Sequence, residues 1–241
     1  MKSLLVLVLS LIGIKAISQQ DISWYKMITG SIDKYPVTMH LHKAGNTYRG
    51  YYYYNSQQRP IYFTGNDTAY NGSIGLLAFS TAQDNEIFTF KIDNNKVSGE
   101  WKKAPDSLPL NFNASASSSN FAYIFTVGSE KLRPNLSESP EGNYSAASVW
   151  PTGNSSSDRF LKKEIRNTFV QNYNGDEEIG AILLEEKKSA LKRYINDNVK
   201  TSEEDIKEMP SAFSMDEQED LMICYKSGKA VSLAHFNYAY T

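Results

Sequence analysis

The stretch Pro36-Val37-Thr38-Met39-His40-Leu41-His42-Lys43-Ala44-Gly45-Asn46-Thr47-Tyr48-Arg49-Gly50-Tyr51-Tyr52-Tyr53-Tyr54 holds two strands and the turn between them. Val37, Met39 and Leu41 fall on one face, Thr38, His40 and His42 on the other. Successive side chains of a strand point to opposite faces, so this alternation predicts one apolar side and one polar side. Lys43-Ala44-Gly45-Asn46 supplies turn chemistry. The four consecutive tyrosines must divide two and two. With Val37, Met39 and Leu41 inward, Tyr48, Tyr52 and Tyr54 join the core. Tyr51 and Tyr53 then face outward beside His40, His42 and Tyr62.

Similar runs lie on both sides, at 24–32, 59–65, 73–80, 86–92, 96–102 and 108–113. Gly65-Asn66-Asp67, Asn71-Gly72 and Asp93-Asn94-Asn95-Lys96 punctuate them. Phe88, Phe90 and Ile92 share one face, as do Val97, Gly99 and Trp101, and then Leu108, Leu110 and Phe112. Trp101 is expected in the core. About eight antiparallel strands within 19–113, with short connections, predict an up-and-down meander. Closing it into a small barrel removes the exposed edges. An open sheet or a sandwich fits the same spacing.

Residues 114–120, Ala-Ser-Ala-Ser-Ser-Ser-Asn, are small and polar and read as a linker. The pattern then changes. Phe121, Tyr123, Phe125 and Val127 alternate as a strand, and 144–150 looks extended up to Pro151. Ser157 is placed to cap a helix over 158–173 with Leu161, Ile165, Phe169 and Tyr173 on one face. A longer helix over 177–200 carries Ile179, Ile182, Leu183, Ala190, Leu191, Tyr194, Ile195 and Val199 at helical spacing. Ser202-Glu203-Glu204-Asp205 caps a short third helix, and 219–226 and 229–240 form a closing hairpin. The fold class is α+β: an antiparallel β-domain followed by a smaller α+β domain over 121–241.

The order Trp150-Pro151, two helices, then Leu221-Met222-Ile223-Cys224-Tyr225-Lys226-Ser227-Gly228-Lys229-Ala230-Val231-Ser232-Leu233 and Phe236-Asn237-Tyr238-Ala239-Tyr240-Thr241 resembles a known family. It is similar to the paired domains of unknown function of lysozyme-sensing anti-sigma factor ectodomains and of peptidoglycan deacetylase N-terminal regions. In that family the last strand runs into Tyr-Thr-Gly-Gly-Ala-His-Gly; here Tyr240-Thr241 ends the sequence. The resemblance implies an α+β domain that is incomplete at its C-terminal side, and a lysozyme-binding role as one alternative. Gly30-Ser31-Ile32 and Gly50-Tyr51-Tyr52-Tyr53-Tyr54 resemble the β-domain that precedes this pair in secreted proteins of unknown function.

The first residues carry an export signal. Lys2 is followed by an apolar run, Leu4 to Ile14, that is too short to span a bilayer. Ala16 and Ser18 stand at the small-residue positions for cleavage between Ser18 and Gln19. This predicts a signal peptide over 1–18 and a periplasmic or extracellular product with no membrane anchor after cleavage. A net charge of −2 with mixed signs leaves no basic footprint for nucleic acid. Cys224 is the single cysteine, so no intrachain disulfide forms, and its apolar neighbours predict a buried small hydrophobe.

Chemistry-bearing motifs are sparse. His40-Leu41-His42 puts two imidazoles on one side of a strand, which is zinc-like spacing, but no carboxylate follows to complete a site. Both rings are expected to face solvent, with no metal and no cofactor. No nucleophile elbow or phosphate-binding glycine loop occurs, so no catalytic residue is assigned. Tyr51, Tyr53, Tyr62, His40 and His42 form the candidate ligand surface, since exposed aromatics stack on sugar faces and anchor partners. Pairing across strands, or cover from the C-terminal domain, is the plainer role for such tyrosines. The expected function is a non-catalytic binding protein of the cell envelope, with a protein or cell-wall glycan as ligand. The alternative is the accessory region of a cell-wall-modifying enzyme whose catalytic part lies beyond residue 241.

Overall fold

A computed structural model describes residues 22–68, 72–80, 85–228 and 230–240. The expected export signal over 1–18, with cleavage expected between Ser18 and Gln19, lies outside the described residues.

Eight strands form the first unit: β1 (Ser23–Ile32), β2 (Tyr35–Ala44), β3 (Thr47–Tyr54), β4 (Ile61–Asp67), β5 (Ile74–Phe79), β6 (Asn85–Asp93), β7 (Lys96–Lys102) and β8 (Leu110–Ser117). Each pairs antiparallel with the next, and β8 returns to β1, closing the barrel. The meander expected from alternation is thus closed, and the open sheet and sandwich are excluded. A two-residue turn of the type I′ form has positive φ at both central positions. Asn94 and Asn95 adopt it, at 46° and 73°.

The interior is a packed core, as a barrel this narrow requires. Ile28, Met39, Leu41, Tyr52, Phe63, Phe88, Phe90 and Phe112 fill it. Gly50 has φ 152°, and a Cβ there would lie 1.9 Å from the His40 carbonyl oxygen and 2.9 Å from the Phe63 ring. Its missing side chain is what lets β3 bend tightly against β2 while Phe63 fills the space.

Trp101 is buried in this core as expected. Its indole N–H donates to Glu86 Oε2 at 3.0 Å, and the Tyr52 hydroxyl donates to the same oxygen. Burial pushes the Glu86 carboxyl above its ordinary range, opposed by the Trp101 hydrogen bond. Trp101→Phe keeps most of the ring and removes the donor. It should cost about 1–3 kcal/mol, the usual loss at a buried acceptor. A urea midpoint equal to that of the parent would show that this bond contributes nothing.

Both boundaries of β8 differ from the sequence reading. β8 begins at Leu110, and Leu108 is 87% exposed in the preceding loop. At its other end β8 runs to Ser117, so four residues read as linker complete the barrel and only 118–120 connect the units. Small size is the reason. Gly30 of β1 pairs with Ala114, and a Cβ on Gly30 would sit 2.4 Å from that alanine's Cβ. Closure needs small residues at this crossing, and small residues also compose linkers.

The second unit contains β9 (Phe121–Lys131), β10 (Glu141–Pro151), α1 (Ser156–Phe169), α2 (Ile179–Asp197), α3 (Glu203–Glu208), β11 (Met215–Lys226) and β12 (Val231–Tyr240). The sheet order is β12-β11-β10-β9, with β10 and β11 parallel. Parallel neighbours need a long crossover, and the three helices provide it. Ser155, rather than Ser157, caps α1: its hydroxyl accepts from the Asp158 N–H, and Asp158 returns a bond to the Ser155 N–H. Ser202 caps α3, its hydroxyl accepting the Asp205 N–H. Val199 falls beyond α2 and is exposed, outside the apolar stripe expected for it. No helix among the described residues is long and apolar enough to cross a membrane.

The sheet is buried on both sides over part of its area. Tyr144, Ala146 and Trp150 face α1 and α2, where Ile165, Ile179, Ile182 and Leu183 pack. Phe121, Tyr123, Ala147, Val149, Met222 and Ile223 face the barrel wall at Tyr25, Met27, Tyr51 and Tyr62. Strand β10 is therefore buried from Ala146 to Pro151 without alternation.

Candidate functional site

The junction between barrel and sheet gathers every residue assigned to a ligand surface from the sequence. β2 presents His40 and His42 on the outer wall, and β3 presents Tyr51 and Tyr53 beside them. Tyr51 meets Tyr62 of β4 at 5.5 Å between ring centroids. The five residues are together, but they do not face solvent. His40, His42 and Tyr53 are buried, and Tyr51 and Tyr62 are half-buried. The second sheet covers them: Tyr53 packs on Tyr225, His42 on Tyr123, and Tyr62 stacks parallel to Phe236. Alternation identified the polar face of β2 correctly; it carries no signal for a second sheet laid over that face.

Each imidazole has a defined place. His42 Nε2 accepts the Ile223 N–H at 3.2 Å, and its Nδ1 lies 3.3 Å from the Arg49 carbonyl oxygen. Accepting at Nε2 makes the ring neutral, with its proton on Nδ1. The Ile223 amide needs this partner because the pairing of β11 with β10 ends at Leu221 and the β11–β12 register shifts between Ile223 and Tyr225. His40 Nδ1 pairs with the Tyr25 hydroxyl at 2.8 Å, while its buried Nε2 has no partner among the described residues. Burial lowers the His42 pKa to about 3, helped by neighbouring His40. It lowers that of His40 to about 4, helped by the Lys226 charge. These are neutral, interface-building histidines. No group of three or more metal-ligating side chains forms among the described residues.

An ion pair completes the junction. The Arg49 guanidinium binds the Asp220 carboxylate, which also accepts from Gln218 Nε2 at 3.0 Å. Nothing in the sequence marked this pair, since its members are 171 positions apart. Cys224 sits at the irregularity in β11, half-buried rather than buried, and its thiol donates to the Ser232 carbonyl at 3.3 Å. Burial pushes that thiol up, away from the reactive thiolate.

What stays open is the end of the barrel. A cavity of about 330 Å³ lies there, lined by Ile32, Tyr35, Tyr54, Ser56, Gln57, Trp101 and Leu110. Tyr35 is half-exposed and meets Tyr54 edge to face at 6.5 Å. Lys34 places its ammonium 5.5 Å from the Tyr35 ring centre. Ser56 and Gln57 belong to the exposed β3–β4 connection and bring polar groups to the rim. The sequence placed Tyr54 and Trp101 in the core; that the core ends in an open aromatic mouth follows only from closure.

The molecule is thus a closed eight-stranded barrel docked through one wall onto a helix-backed four-stranded sheet, with an aromatic cavity at one barrel end. No family model, no curated protein and no solved structure matches this chain.

Proposed function

We propose that this chain is an exported, non-catalytic binding protein of the cell envelope that takes a glycan at the open end of its barrel. The observation that carries this reading is the cavity between Tyr35, Tyr54 and Trp101 with Ser56 and Gln57 at its edge. Concave sites lined by aromatic groups with a few polar ones are the usual form of small-ligand sites. Aromatic faces suit the C–H faces of sugar rings, and the polar edge suits their hydroxyls. Glu86 accepts from Tyr52 and from Trp101, which fixes the indole ring that lines the cavity. The setting in the envelope is supported by the apolar leader at Leu4 to Ile14 and by the resemblance of residues 121–241 to cell-wall-associated domains.

Titration of the full mature chain with soluble cell-wall glycan fragments, followed by amide chemical shifts, tests the reading. Saturable shifts should appear at Tyr35, Tyr54, Ser56, Gln57 and Leu110, and Tyr35→Ala should weaken binding by at least tenfold. A spectrum unmoved by any fragment at millimolar concentration overturns it.

A further inference from the structure

The sheet of the second unit has two edges, and they differ. β9 lies at one side and β12 at the other. β9 is guarded: Lys187 Nζ of α2 donates to the Val127 carbonyl at 3.2 Å, and Glu130 and Lys131 place both signs of charge at the end of the strand. Charged side chains of this kind keep an edge from pairing with another strand. β12 has none of them. Val231-Ser232-Leu233-Ala234-His235-Phe236-Asn237-Tyr238-Ala239-Tyr240 contains no Lys, Arg, Asp, Glu or Pro. Its inner side pairs with β11 along its length, and no described strand pairs with its outer side. Every second residue therefore turns an N–H and a C=O outward. From Phe236 to Tyr240 the residues are exposed as well, Tyr238 and Tyr240 by about half.

The sequence of β12 is complementary to itself. Ser232, Ala234, Phe236, Tyr238 and Tyr240 share the face that meets the barrel, where Phe236 stacks on Tyr62. Small residues fill the first half of that face and rings the second. Two copies run antiparallel about a two-fold axis at Phe236 would set Tyr238 against Ala234 and Tyr240 against Ser232. The opposite face then sets Leu233 against Ala239 and His235 against Asn237. Each bulky group meets a small or polar one, which suits cross-strand neighbours only about 5 Å apart. An axis one residue earlier would set imidazole against imidazole at His235.

Charge follows the same symmetry. Asp216, Glu217, Glu219 and Asp220 of β11 lie beside the Phe236–Tyr240 half of β12, whereas Lys226 lies beside Val231. Antiparallel pairing carries the acidic half of each copy toward the Lys226 end of the other and keeps the two acidic clusters apart.

We propose that β12 is a self-association edge: two copies of this chain join β12 to β12, antiparallel about Phe236, into one continuous sheet. The contact is isologous and closes on itself, so assembly stops at a dimer. It uses no residue that lines the barrel mouth.

Sedimentation of the full mature chain from about 1 to about 500 µM should show a reversible monomer–dimer equilibrium. Tyr238→Lys, at an exposed position, should raise the dissociation constant at least tenfold. A chain that stays monomeric over the whole range overturns the proposal. Cross-linking in a Cys224→Ser background reads the register, because cross-strand Cα atoms about 4.5–5.5 Å apart are within disulfide reach. Phe236→Cys should oxidise to a covalent dimer by itself. Ala234→Cys and Tyr238→Cys should cross-link when mixed, and neither alone. That second pair leaves the stack of Phe236 on Tyr62 in place, so the register is read even if Phe236→Cys folds poorly. A dimer in which none of these positions cross-links, or whose dissociation constant Tyr238→Lys leaves unchanged, uses another surface and overturns the proposal as well.

Discussion

Arg49→Ala should destabilise the protein by about 3–5 kcal/mol, the cost of leaving one member of a buried ion pair alone. Asp220 is the deeply placed member: its side chain is 3% exposed against 26% for Arg49. Burial raises the Asp220 pKa, and the opposing pull of Arg49 does not fully reverse it. Without the guanidinium, Gln218 alone would face a buried carboxylate, which must then take up a proton or open the junction. The reciprocal change, Asp220→Ala, should cost less, because a quarter-exposed guanidinium can turn to water. Urea denaturation of both variants at neutral pH measures the asymmetry. Equal and small losses, under about 1 kcal/mol each, would place this pair with ordinary surface ion pairs.

Mild acid should open the same junction. His40 and His42 are neutral in the folded protein, with pKa values lowered from 6.5 to about 4 and about 3 by burial. In the unfolded chain both take up protons as pH falls through about 6.5. A folded pKa below the unfolded one gives stability that is fully present above pH 6.5 and lost as pH falls toward the folded value. Each histidine then removes about 1.4 kcal/mol per pH unit, so the pair should cost about 4 kcal/mol between pH 7 and pH 5.

Geometry gives the same sign: a proton on His42 Nε2 would point donor at donor toward the Ile223 N–H. The Lys226 ammonium faces His40 with like charge, and burial keeps the Tyr25, Tyr53 and Tyr123 phenols neutral throughout the range. Burial raises the pKa of Asp220 and of Glu219 on β11, so these carboxyls act in the opposite direction. Their opposition grows as pH approaches the carboxylate range, and the upper part of the window is the cleaner one. Urea midpoints from pH 7.5 to 5 should fall, and His40→Leu with His42→Leu should flatten the slope whatever its own stability. A parent midpoint that holds constant from pH 7 to pH 5 would sink the prediction.

The two effects meet at one surface. Arg49, His42 and Tyr51 come from adjacent barrel strands, and Asp220, Ile223 and Tyr225 come from β11. Removing the ion pair and acidifying should therefore be non-additive, as expected for residues sharing one interface. The barrel mouth, at the Trp101 end, is lined by neither group, so the glycan binding proposed there should be insensitive to mild acid for as long as the barrel stays folded.

The sequence by itself determined the strands of the first unit and which of their faces turn inward, while closure came from the pairing of β8 with β1. Alternation in 36–54 set which face of β2 and β3 turns inward, and Val37, Met39, Leu41, Tyr48 and Tyr52 are all in the core. Strand periodicity and turn chemistry are local, so they survive being read one segment at a time. The amphipathic stripe of α2 and the Ser202 cap are local in the same sense. Only the tertiary structure decided what the other face of β2 does. His40 and His42 alternate as solvent-facing residues would, and the sheet of β9 to β12 buries them. No local pattern encodes which surface a distant segment will cover. The Arg49–Asp220 pair, the parallel pairing of β10 with β11 and the small-residue crossing at Gly30 and Ala114 are long-range for the same reason. The mouth is the clearest instance: Tyr35, Tyr54, Gln57 and Trp101 are ordinary strand and loop residues until closure brings β2, β3 and β7 around one end.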